Sequence, residues 1–121
     1  FPPNQPTAKR MFQLGKAIGE AVRSWDSDAR VAVFGSGGMS HFVIDEQLDQ
    51  DFIKAIAERD ADYLMSINEE ILQSGTSELK NWIGAAGFLF GTGLSGGLVD
   101  YVPCYRSEAG TGTANGFVAW T

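Results

Sequence analysis

Residues 31–38 read VAVFGSGG, and this succession limits the architecture more than any other part of the chain. Val31-Ala32-Val33-Phe34 is an unbroken apolar run, too short for a helix, and it predicts a strand over residues 30–34 buried on both faces. Three glycines follow within four residues, Gly35, Gly37 and Gly38, and they let the backbone come very close to another group. Ahead of the run, Met11, Leu14, Ile18, Val22 and Trp25 recur at spacings of three and four, the apolar stripe of a helix. Pro6-Thr7 suits the start of that helix, because a first turn does not need the N–H that proline lacks. A helix leading into a doubly buried strand is half of a parallel unit. The expected fold class is therefore α/β, with a parallel or mixed sheet flanked by helices.

The helical period returns from Asp45. Leu48, Phe52, Ile53 and Ile56 share one face, with Asp49, Asp51, Lys54 and Glu58 on the other. Residues 61–65 and 68–72 read as short helices. Residues 74–77, SGTS, form a break with capping character. Leu79, Trp82, Ile83, Ala86 and Phe90 then make another helical stripe. Residues 91–97 are a glycine-rich loop. Residues 98–105 and 117–120 read as strands, with a turn or binding loop over 107–116. A chain of 121 residues suits one domain, or one lobe of a larger one. The opening segment FPPNQP, turn-rich and without methionine, reads as the interior of a longer polypeptide.

Several function classes are disfavoured. The net charge of −6 argues against a nucleic-acid surface, which needs clustered lysine and arginine. Cys104 is the only cysteine, so there is neither an internal disulfide nor a cysteine-based metal site, and a reducing, cytoplasmic setting fits. No apolar run approaches the roughly 18–20 residues that span a bilayer, and no secretory signal is visible.

The only histidine lies in GSGGMSHF, residues 35–42. The glycines there could cradle a phosphate, but neither the spacing of the dinucleotide fingerprint nor the P-loop lysine is present. A serine elbow, G-x-S-x-G, is matched at neither Ser36 nor Ser40, and Ser40 and His41 are adjacent, so on an extended backbone their side chains diverge. His41 can be a hydrogen-bonded structural histidine. It can also be a proton carrier, since ligands of open α/β sheets bind beyond strand ends and imidazole changes charge near neutral pH. Glu78 at a helix start can simply face the positive end of the dipole, or its carboxylate can ligate a metal. A two-histidine, one-carboxylate iron site cannot be completed from a chain with one histidine.

Four segments together carry a resemblance: FPPNQPT (1–7), GSGGMSHF (35–42), QSGTSELKNWIGAAG (73–87) and YVPCYRSEAGTGTANGFVAW (101–120). They resemble the C-terminal half of the catalytic subunit of class III extradiol dioxygenases, the protocatechuate 4,5-dioxygenase and gallate dioxygenase group. The resemblance covers nearly the whole chain and makes residues 1–121 the C-terminal portion of a larger catalytic domain. It implies a non-haem Fe(II) held by two histidines from a missing N-terminal half and by Glu78. It implies His41 as the acid–base residue, with Thr111 or Thr113 and Ser40 against the substrate. The substrates implied are dioxygen and a catechol-type aromatic acid such as protocatechuate or gallate. A small second subunit or a second copy of the chain is a further implied partner; nucleic acid and membrane are not. Two other readings stand beside this one: a non-catalytic module of the same fold, and a hydrolase using Ser36 or Ser40.

Overall fold

The structure is a computed structural model and describes residues 3–121. Phe1 and Pro2, which open the first of the four segments, lie outside the described residues. Helix α1 spans Ala8–Arg23 and is capped by the Thr7 hydroxyl, which accepts from the Arg10 amide at 3.1 Å. A short strand β1, His41–Val43, leads to α2, Glu46–Glu58, whose cap is Asp45. Helix α3, Ala61–Ser66, follows. A 3-10 turn at Ser74–Glu78 runs into α4, Leu79–Leu89. Two long strands, β2 (Gly96–Tyr105) and β3 (Thr111–Trp120), complete the chain.

The class is α/β, as expected, but the pairing direction differs. The three strands lie in the order β1-β3-β2 and every pairing is antiparallel. Residues 30–34 form no strand: they run past the sheet without a ladder partner among the described residues, and Phe34 is 88% exposed. An apolar run supplies the side chains of a buried strand, but without a neighbour its backbone groups have nothing to pair with. Residues 68–72 are turns, not a helix. Residues 111–116, expected in a loop, belong to β3, and the turn is confined to the residues before Thr111.

The core gathers Phe52, Met39, Leu64, Leu72, Leu79 and Ile83, all fully buried. Helix α2 turns Leu48, Phe52, Ile53 and Ile56 inward as its period predicts, but Asp49 is buried with them. Helix α1 departs from its stripe. It buries Ala8, Phe12, Gly15 and Gly19, while Leu14 and Ile18 stay about half exposed. The cause is close packing on α4: a Cβ at Gly15 or Gly19 would collide with the carbonyl of Gly84 or Phe88, and one at Gly87 with that of Phe12. Backbones that approach this closely put the small residues, not the large ones, at the helix contact. The displaced stripe faces an open groove beside Val33 and Phe34, and a second groove of about 770 Å³ runs between residues 31–37 and β3.

Candidate active site

The glycine loop is held from two sides, by α4 and by β3. Asn81 of α4 donates to the Ser36 carbonyl at 2.8 Å, and Trp82 donates to that of Gly37 at 3.1 Å. The Met39 amide donates to the Ala114 carbonyl, and the Ala114 amide returns a bond to Ser40, both at 2.9 Å. These bonds fix the loop to α4 through the Ser36 and Gly37 carbonyls and to β3 through Met39 and Ser40.

This arrangement brings His41 and Glu78 together. His41 Nε2 lies 3.3 Å from Glu78 Oε2, which also accepts from the Gly38 amide at 2.5 Å. The imidazole sits in a slot with glycine on both sides. A Cβ on Gly38 would stand 2.5 Å from Nε2, and a Cβ on Gly75 would overlap the ring itself. The His41 amide donates to the buried Thr76 hydroxyl at 3.0 Å, which ties β1 to the 3-10 turn. Glu78 makes no capping bond to α4; its carboxylate turns towards the glycine loop instead. Its side chain is 41% exposed.

Two of the non-glycine residues with left-handed backbones flank the slot: Phe42 at φ +66° and Ser74 at φ +50°. Such a conformation costs on the order of 1–3 kcal/mol and persists only where the surroundings enforce it. Here it stands directly after the histidine and directly before Gly75.

The remaining residues expected at the site separate. Thr113 pairs directly with His41 across the β1–β3 ladder, so the two side chains share a face. Both line a pocket of about 400 Å³ together with Phe42, Cys104, Tyr105, Arg106 and Gly112. Thr111 pairs with Val43 instead, and its hydroxyl lies 2.7 Å from that of Ser107. Ser40 points the other way: it is 1% exposed and its hydroxyl donates to Asp49 at 2.7 Å. Glu78 does not line the His41 pocket. Arg106 went unnoticed in the sequence, because its place beside His41 depends on the β2–β3 pairing.

As a metal site the described residues are incomplete. No three His, Cys, Asp or Glu side chains among them come together to hold an ion. The donors that do converge are one imidazole and one carboxylate, of which Oε2 is engaged and Oε1 takes no hydrogen bond among the described residues. That fits one ligand of a non-haem iron set, not the set. No helix among the described residues is long and apolar enough to cross a membrane.

Away from the slot, Lys80 on α4 is 5% exposed and pairs with Glu69 at 2.7 Å. Burial opposes ionisation of Glu69, but hydrogen bonds from Lys80 and the Ala8 amide outweigh it and hold the carboxyl below its ordinary range. This joins α4, the turn after α3 and the start of α1.

Residues 3–103 match the family model described as the catalytic LigB subunit of aromatic ring-opening dioxygenase. His41 and Glu78 fall inside the match, and Thr111 and Thr113 lie beyond it. A stretch of 42 residues, 35% of this chain, is 43% identical to a gallate dioxygenase of Pseudomonas putida KT2440 and covers 12% of that relative's length. No solved structure matches the chain.

Proposed function

We propose, for a chain that belongs to the catalytic LigB-subunit family of aromatic ring-opening dioxygenases, that it forms one wall of an Fe(II)-dependent extradiol site acting on a catechol-type aromatic acid. The observation that carries this reading is the convergence of His41 and Glu78 at 3.3 Å within a glycine slot, from separate elements and flanked by strained backbone. A merely structural histidine needs neither the strain nor two glycines around its ring.

In this reading Glu78 supplies one oxygen ligand, and two histidines come from outside these 121 residues, from the N-terminal half of the same protein. Bound there, iron would supply the open positions at which a catechol and dioxygen meet. His41 holds and moves the proton. In this reading Nε2, kept beside the carboxylate, takes the proton of a catechol hydroxyl and returns it as the ring opens. Thr113, on the same face as His41, donates a hydroxyl to the substrate, and Arg106 lines the same pocket with a guanidinium that suits an aromatic carboxylate. Thr111 is the less favoured contact and Ser40 has a different role, argued below. The exposed side chains of Val31 and Phe34 and the adjoining groove suit a covering layer from the missing half, a small subunit or a second copy. A cytoplasmic setting agrees with the single free cysteine.

The test compares this chain with a complete protein carrying the upstream histidines. Both are loaded anaerobically with Fe(II) and given protocatechuate, gallate or unsubstituted catechol, with oxygen uptake and ring-opened product as readouts. The complete protein is expected to turn over the carboxylated rings, and the 121-residue chain to turn over none. A complete, iron-loaded protein that consumes no oxygen with any catechol, or an isolated chain that matches it, would overturn the reading.

A further inference from the structure

We propose that Asp49 is a positioning residue: buried on α2, it clamps Ser40 and so fixes the backbone from which the His41 imidazole enters its slot. The proposal rests on the reading of His41 given above and goes beyond it, since Asp49 touches neither the pocket nor the imidazole.

Asp49 is fully buried together with the apolar residues of α2. Its carboxylate acts only as an acceptor. Oδ1 takes the Ser40 amide at 2.9 Å, and Oδ2 takes the Ser40 hydroxyl and the Tyr101 hydroxyl, both at 2.7 Å. Burial together with the bond to Asp49 raises the Tyr101 phenol well above its ordinary value, which keeps it a donor. The Ser40 hydroxyl in turn accepts from the Asp45 amide at 2.9 Å. The Ser40 carbonyl accepts from Ala114. Every polar group of Ser40 is therefore engaged, by α2, by its cap and by β3.

A carboxylate is an expensive choice for an interior position, since a hydrocarbon of similar volume packs there without needing three donors. What it achieves here is directional. Ser40 precedes His41, and Phe42, just beyond, has φ +66°. Thr76 holds the His41 amide, so the histidine is pinned on one side by the 3-10 turn and on the other by the Asp49–Ser40 clamp. Without the clamp the strained segment relaxes, and a slot that leaves no room for a single methyl no longer holds the ring.

The test uses Asp49→Asn, which keeps the shape but offers one acceptor oxygen in place of two. His41 is the only histidine, so its ring protons give unambiguous NMR signals. In the 121-residue chain the expected result is loss of the ring contacts to the Gly38 and Gly75 α-protons and at least about tenfold faster amide exchange at Ser40 and His41, with the Trp82 and Phe52 core signals retained. A folded Asp49→Asn variant with wild-type ring contacts and exchange overturns the proposal. If that variant does not fold, Tyr101→Phe, which removes one bond and leaves the carboxylate, is expected to loosen the same ring contacts to a lesser degree. An unchanged His41 there overturns the proposal equally. In the complete protein, kcat is expected to fall roughly 10–100-fold at nearly unchanged KM, as when a group that orients a site residue is lost. A KM effect alone speaks against positioning. A complete protein inactive before any substitution refutes the function proposed above, while the NMR result still decides this proposal.

Discussion

Replacing Gly38 by alanine tests the slot directly. The added Cβ would stand 2.5 Å from His41 Nε2, whereas ordinary contact begins at 3.4 Å, so the ring must retreat by about 0.9 Å. It has nowhere close to go: Gly75 backs the slot on the other side, and the Ala114 carbonyl, 3.1 Å from the new carbon, blocks a shift of the loop itself. The backbone at Gly38 lies outside the left-handed region, so alanine adds no conformational strain and the whole effect comes from the methyl. Overpacking of this kind costs roughly 1–3 kcal/mol of stability. Displacement of a reacting group by about 1 Å costs on the order of 10²-fold in rate. The ring retreat also lengthens the 3.3 Å approach to Glu78. The assay has two parts. Denaturant unfolding of the chain gives the stability loss, and ring-opening rates of the complete protein give the loss in kcat. Gly97→Ala is the control, because its Cβ would meet nothing closer than 3.8 Å. A Gly38→Ala protein that folds, keeps the wild-type His41 ring contacts and retains full kcat would show that the slot does not determine the geometry of the imidazole.

Three further outcomes are expected. His41→Ala in the complete protein should lower kcat by about 10²–10⁴, the range for loss of a general acid–base group; a smaller kinetic loss would remove His41 from the chemistry. Gly15→Ala should destabilise the chain by roughly 1–3 kcal/mol, read as a lowered denaturant midpoint, because the new methyl meets the rigid Gly84 carbonyl and not a movable side chain; an unchanged midpoint would mean that α1 and α4 can separate freely. Glu69 has a folded-state pKa below its ordinary value of 4.5, so its contribution is complete above about that pH and disappears as the pH falls through the lowered value. Glu69→Gln should accordingly flatten the acid limb of the stability–pH curve, and an acid limb identical to wild type would show that the pair with Lys80 contributes nothing.

Helices α1, α2 and α4 were legible because their signals are local. Thr7 and Asp45 sit where a cap is needed, and the apolar face of α2 is written at spacings of three and four. The slot was legible in part: glycines around a lone histidine, and an acid after SGTS, name the residues. Their meeting at 3.3 Å was not legible, since it depends on α4 holding the glycine loop through Asn81 and Trp82.

Other features could be decided only in three dimensions. The apolar run at 31–34 has the composition of a strand, but a strand exists through its partner, and pairing is a property of two segments. Asp49 falls on the polar side of its helix by period, yet it is buried, because Ser40 and Tyr101 bring it three donors from outside the helix. Thr111 and Thr113 are equivalent in the sequence until the ladder register sets Thr113 opposite His41. What repeats along a helix or caps its end is encoded by neighbours in the chain, and the sequence alone determined it. What depends on a group arriving from a distant element was decided by the tertiary structure, because the donor, the partner strand or the colliding carbonyl is absent from the local sequence.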